Sequence, residues 1–127
     1  MPVRLVVPIV LSLLTCAPGQ AGELPRAFHG TFAALDAPEA CRSRASDGRV
    51  SITIDHIGFF ASSCAVGVVR PGRPGEVNAT TRCREEGDPH IAPVDIRLRI
   101  RGDRLALSME DGAETRYRRC RRFIPAR

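Results

Sequence analysis

Lysine is missing from this chain: all 19 basic residues are arginine. That excludes a lysine nucleophile, a Schiff base and a phosphate-binding loop built on lysine. Tryptophan is missing too, and one Tyr with five Phe offers little surface on which bases or sugars could stack, so nucleic acid is a poor candidate partner. No apolar run approaches the roughly 20 residues a membrane-spanning helix needs. No Cys-x-x-Cys pair occurs, which leaves a zinc ribbon or a thioredoxin-like redox pair without support. Gly-x-Ser-x-Gly, His-Glu-x-x-His and glycine-rich phosphate loops are likewise absent. Ser51, Ser62, Ser63 and Ser108 have no base positioned by sequence. The expectation is a protein without catalytic residues, cofactor or metal.

What is present describes one small domain. The 127 residues are 43% apolar and 26% charged, with a net charge of +5, an ordinary globular balance at a size that carries a single core. Residues 1–21 have the layout of an export signal. Arg4 is followed by the ten-residue apolar run LVVPIVLSLL, and Gly19-Gln20-Ala21 offers a small-x-small cleavage point. A lipoprotein signal ending at Cys16 is the minor alternative. Removal of residues 1–21 takes away Arg4 and Cys16, leaving a domain over 22–127 with charge +4 and four cysteines. An even cysteine count in a small exported domain points to two disulfides in an oxidising compartment, periplasmic or secreted.

The alternation of apolar and polar residues is that of half-buried strands. Val50, Ile52 and Ile54 alternate with Ser51, Thr53 and Asp55. Val94, Ile96, Leu98 and Ile100 alternate with Asp95, Arg97, Arg99 and Arg101, and Leu105, Leu107 and Met109 continue beyond Gly102-Asp103. A turn at those two residues sets Ile100 opposite Leu105, Leu98 opposite Leu107 and Ile96 opposite Met109. A slip of one residue would destroy the match. A second turn, centred between Arg73 and Pro74, sets Cys64 opposite Cys83, Val66 opposite Thr81 and Val68 opposite Ala79. Four cysteines allow three connectivities; this register favours Cys64–Cys83, which leaves Cys41–Cys120. Further strands are expected over 28–34, 57–62 and 113–122. Asp36-Ala37-Pro38-Glu39 has the spacing of a helix start, predicting one short helix ending near Ser43. The fold class is all-β, a seven- to eight-stranded antiparallel meander closing into a small barrel, with a β-sandwich as the alternative.

The order Gly30-Thr31-Phe32, Cys41, Asp47-Gly48-Arg49-Val50, Cys64-Ala65-Val66, Cys83 with Glu85-Glu86-Gly87, Gly102-Asp103-Arg104-Leu105 and Tyr117-Arg118-Arg119-Cys120 resembles a group of small exported proteobacterial proteins. Those carry two disulfides and end in a Tyr-x-Arg-Cys-like strand. The likeness spans nearly all of residues 22–127 and implies structure, with no reaction attached. The opening Gly-x-Phe and a late Arg also resemble the Gly-x-Trp and late Arg of lipocalin-type barrels. That resemblance implies an arginine packed over the aromatic ring, with Phe32 in place of the Trp.

Among polar clusters, Glu85, Glu86, Asp88 and His90 hold acid and imidazole together, but Gly87 and Pro89 make a solvated turn the expectation rather than a metal loop. Adjacent strand side chains point to opposite faces, so Asp55 and His56 are not expected to form a couple. His29 reads as a residue near the rim. Asn78-Ala79-Thr80 is a glycosylation sequon that a bacterial exported chain would usually leave bare.

The strongest signal is charge placement. Arg97, Arg99 and Arg101 share the outward face of one strand, and Arg116 and Arg118 that of the last. Arg104, Arg119, Arg121 and Arg122 extend the basic region. Arginine suits bidentate capture of carboxylate or phosphate. The competing reading is a solvated face, partly neutralised by Asp95, Asp103, Glu110 and Glu114. The sequence therefore points to a small binding or interaction protein contacting an anionic envelope polymer, lipid head group or acidic protein. An envelope structural or enzyme-inhibitor-type protein with no small ligand is the alternative, and a hydrolase ranks below both.

Overall fold

A computed structural model describes residues 22–121, together with residues 2–4 and 8. The expected cleavage point and Cys16 lie outside the described residues. Where the sequence alternates, strands form: β1 (Gly30–Ala34), β2 (Arg49–Ile52), β3 (His56–Phe59), β4 (Ser62–Pro71), β5 (Glu76–Glu85), β6 (Ile91–Arg101), β7 (Arg104–Met109) and β8 (Thr115–Arg119). Each pairs antiparallel with its successor, and β8 pairs with β1, so the sheet closes into an eight-stranded barrel and the sandwich alternative falls.

The β6–β7 register is the one that apolar matching dictates, with Ile100 opposite Leu105, Leu98 opposite Leu107 and Ile96 opposite Met109. Cys64 stands opposite Cys83 and Val66 opposite Thr81, as expected, but Val69 rather than Val68 faces Ala79. The cause is a bulge at Gly67. This extra residue lets β4 slip by one, turning Val68 out to solvent and Val69 in, while the Val68 amide donates to the Thr80 hydroxyl. Both disulfides form, Cys64–Cys83 and Cys41–Cys120.

No α-helix forms at 36–43. Pro38–Cys41 makes a single 3-10 turn, and no side chain caps it. Ala40 is fully buried, packed with β1, whose outward-facing Ala33 is buried as well. The 35–48 connection thus lies as a strap along the outside of β1. Its tether through Cys41 to Cys120, just past β8, ends the turn before a helix can extend.

The barrel interior is filled. Phe32, Val50, Ile57, Ile96, Leu98 and Leu105 are each under 2% exposed and belong to one continuous apolar cluster. Residues 22–29 cross one end of it. The Leu24 amide donates to the Ile54 carbonyl at 2.7 Å, and a 3-10 turn at Arg26–Phe28 drives Phe28 into the core beside Leu24. Arg119, expected in the outward basic region, instead points inward because its register partner is Phe32. Its guanidinium carbon lies 4.7 Å from the centre of the Phe32 ring, a cation–π contact. Its nitrogens donate to the carbonyls of His29 and, at 2.7 Å, Ala27. Gly30 makes room for this arrangement: its φ is +144°, and a Cβ there would stand 2.6 Å from the Arg119 Nη1.

Two stability outcomes follow from this packing. Phe32→Ala should lower unfolding free energy by about 3–5 kcal/mol, the range for emptying a buried aromatic site, read from urea denaturation. In the chain-entropy model, cross-linking across 79 residues contributes about 4.5 kcal/mol and across 19 residues about 3. Replacing Cys41 and Cys120 by Ala should therefore lower the melting temperature more than replacing Cys64 and Cys83. The opposite order would show that the strap adds little.

Candidate anion-binding surface

Because a β-strand alternates, the inward apolar set of β6, β7 and β8 fixes the outward set. In β6 that set contains Arg97, Arg99 and Arg101; in β7 Arg104, Ala106 and Ser108; in β8 Arg116 and Arg118. Register then arranges these residues in rows. Arg99 faces Ala106, which faces Arg116; Arg101 faces Arg104, which faces Arg118; Arg97 faces Ser108. Neighbouring strands lie about 4.8 Å apart and successive residues on one face about 6.8 Å apart along a strand. All five arginines singled out from the sequence thus share one surface, and Arg104 joins them at its centre. The six arginines are solvent-exposed.

Of the four acids suggested by sequence, Glu114 and Asp103 serve the arginines. Arg99 bonds Glu114 at 2.6 Å, and Asp103 lies between Arg104 and Arg118 at 3.8 and 3.9 Å. Arg97 turns instead to β5, bonding the Asn78 side-chain oxygen at 3.2 Å with Glu76 at 3.9 Å. Asp95 and Glu110 do not serve the arginines; the Glu110 carboxylate accepts the Asp95 backbone amide. Among the described residues, Arg101 and Arg116 have no ion-pair partner.

Between the arginines, Ala106 leaves a hollow of about 390 Å³ lined by Arg99, Arg101, Arg104, Arg116 and Ala106, with half-exposed Leu35 as one wall. The Leu35 amide donates to the Arg116 carbonyl, which fixes the strap's first residue beside β8. Ala106 and Leu35 gave no signal in the sequence as site residues. Ala106 becomes meaningful only when the turn at Gly102-Asp103 and the β7–β8 register place it amid the arginines.

The chain matches no protein-family model, no curated protein and no solved structure.

The remaining polar clusters hold turns. Asp55 and His56 do touch, Nδ1 to Oδ1 at 2.9 Å, contrary to the expectation from strand alternation. Asp55 lies in the turn before β3, where the pleat does not apply. The His56 hydrogen bond draws the Asp55 carboxyl below its usual value. The Thr53 hydroxyl sits beside Asp55 and accepts the His56 amide, so the group fastens an exposed β2–β3 turn. Asp88 accepts the His90 amide at 2.9 Å, and among the described residues no group of three or more His, Cys, Asp or Glu gathers as a metal site. His29 bonds the Leu24 carbonyl through Nε2. Burial raises the Tyr117 hydroxyl pKa above its ordinary value. Among the described residues no helix is long and apolar enough to cross a membrane.

Arginines directly opposite one another repel, at about 0.2–1 kcal/mol a pair. Arg104→Glu, which sets a carboxylate between Arg101 and Arg118, should raise the urea midpoint at low ionic strength. The gain should shrink in about 1 M salt, where the Debye length falls to about 3 Å. A midpoint that does not rise would show that Asp103 already neutralises the row.

Proposed function

We propose that this protein is an exported, periplasmic or secreted binding module that holds an anionic partner on the outer face of β6, β7 and β8. One observation carries the reading: Arg101, Arg104 and Arg118 stand directly opposite one another on three adjacent strands, and among the described residues their one ion-pair partner is Asp103, beside Arg104 and Arg118. Folding gains nothing from such a row, whereas an anion bridging it would turn repulsion into charge-assisted hydrogen bonding. The packed interior supports an outer site, since Phe32, Ile57 and Leu98 occupy the space a ligand would take in a hollow barrel. The two disulfides and the signal-like residues 1–21 support export.

A second reading, protein contact of the inhibitor type, is favoured by one feature. Phe60 is half-exposed at the β3–β4 turn, where Ala61 takes a left-handed conformation and its carbonyl accepts the Glu86 amide of the neighbouring acidic loop.

The test uses polyphosphate and polyglutamate as probes, followed by fluorescence anisotropy. Binding should weaken on the order of a hundredfold between about 50 and about 200 mM salt if about four charge contacts form. The double variant Arg99→Ser, Arg101→Ser should lose binding. The double variant Arg82→Ser, Arg84→Ser, an equal charge change at the far end of β5, should retain it. Affinity indifferent to salt, or equal losses in both variants, would remove the proposed face. Loss of a protein partner on Phe60→Ser, with polyanion binding absent, would favour the second reading.

A further inference from the structure

Ala106 is the small outward residue of β7 that has an arginine directly opposite it on both neighbouring strands. On β6, Arg99 is directly opposite it, with Arg97 and Arg101 diagonal; on its own strand Arg104 is the next residue on the same face; on β8, Arg116 is opposite and Arg118 diagonal. Six of the positions around this methyl group are therefore arginine, and four of the six line the hollow above it. We propose that Ala106 and these arginines form a receptor for a terminal phosphate group, a phosphomonoester. The proposal rests on the anionic-partner reading above and specifies the chemistry of the partner.

The argument is one of shape and charge. Arg99 and Arg116 approach from opposite sides, two strands or about 9.6 Å apart at the backbone, while Arg101 and Arg104 approach from below. A carboxylate offers two oxygens in one plane and satisfies one guanidinium fork well. A phosphomonoester offers three terminal oxygens directed to different sides and carries about −1.5 to −2 charges at neutral pH. It can accept from three or four guanidiniums arranged around it and neutralise more of the field. The floor is a methyl group, which donates no hydrogen bond and leaves every oxygen to the arginines. Arg101 and Arg116, which have no ion-pair partner among the described residues, are free to turn inward; Arg99 is held by Glu114 at 2.6 Å, a carboxylate the phosphate must displace or leave in place, and Asp103 contacts Arg104 and Arg118 at 3.8 and 3.9 Å.

Guanidinium keeps its charge across the range tested, and the titratable groups facing the site are the carboxylates Glu114, on Arg99, and Asp103, on Arg104 and Arg118, so a rise between pH 5 and pH 8 reports the ligand's own ionisation. A phosphomonoester has its second pKa near 6. Its binding should tighten about tenfold from pH 5 to pH 8 as the dianion forms, then stay level to about pH 10. A site relying on imidazolium would instead weaken over the lower part of that range.

The experiment titrates the protein, oxidised and at low salt, with inorganic phosphate, glycerol 3-phosphate and acetate. Binding is read by amide chemical-shift changes at β6, β7 and β8. Vesicles containing phosphatidic acid, and others containing phosphatidylglycerol, separate a lipid-borne monoester from a soluble one. The expected result is phosphate and glycerol 3-phosphate binding at least about tenfold tighter than acetate, with the pH rise described above. Ala106→Leu fills the hollow without changing charge and should abolish this preference, while salt-sensitive polyphosphate binding persists. Arg116→Ser, at an exposed position, should weaken phosphate about tenfold or more and provides a second reading should Ala106→Leu fail to fold. Preference for phosphatidic acid over phosphatidylglycerol vesicles assigns a lipid source; binding of glycerol 3-phosphate without vesicle binding assigns a soluble one. Equal affinity for acetate and phosphate, or phosphate binding unchanged in Ala106→Leu and Arg116→Ser, would overturn the receptor while leaving the anionic face standing. Failure of polyphosphate itself to bind would instead overturn the underlying reading.

Discussion

The seam between the first and last strands is the constraint on which the molecule depends. Only three residue pairs join β1 to β8, Phe32 with Arg119, Ala33 with Arg118 and Ala34 with Tyr117. So short a ladder is weak alone, and three devices reinforce it. Arg119 clamps Phe32 and the carbonyls before β1; the strap covers Ala33 from outside; and the Cys41–Cys120 bridge holds the strap against β8. Closure satisfies the backbone groups that two sheet edges would otherwise present to other chains. It also positions the site, because β8 contributes Arg116 and Arg118. If β8 frayed, the arginine lattice would lose a whole column.

Much of this could be read from the sequence because the information lay in alternation. In the β6–β7 hairpin, each apolar residue must find an apolar partner, so the register of Ile96, Leu98 and Ile100 was determined, and with it the outward direction of Arg97, Arg99 and Arg101. The Cys64–Cys83 pairing was met by compensation: the turn is centred on Pro74, with Pro71 facing Val77, half a residue past the expected centre, and the bulge at Gly67, between the turn and Cys64, takes up the difference. Where the sequence misled, a local rule was overridden. Gly67 shifted the register past Val66, a slip that no side-chain pattern announces, since glycine has no side chain to match. Asp36 and Glu39 had helix-start spacing, yet burial of Ala40 against β1 and the sulfur tether held the segment to a single turn. Arg119 carried a charge that suggested solvent, but parity within β8 turned it toward Phe32.

The candidate site was legible only in part. Arginines announce themselves, and their sharing of a face follows from parity. The hollow does not, because it consists of what Ala106 lacks, and its significance depends on the β7–β8 pairing that brings Arg116 alongside. The loop acids and histidines drew attention as chemistry-bearing types, yet the structure commits Asp55 to the His56 side chain and Asp88 to the His90 amide, both within turns. A polar residue near a turn more often serves the backbone than a ligand.

The two sulfur bridges are nested, with 64–83 inside 41–120. The outer one turns residues 41–120 into a covalent ring containing every strand from β2 to β8. A single peptide-bond cut anywhere within that ring, in any of the six turns between those strands, severs the backbone but releases no fragment. The nicked molecule keeps its connectivity, so re-pairing of the displaced strand remains an intramolecular event whose probability does not fall on dilution.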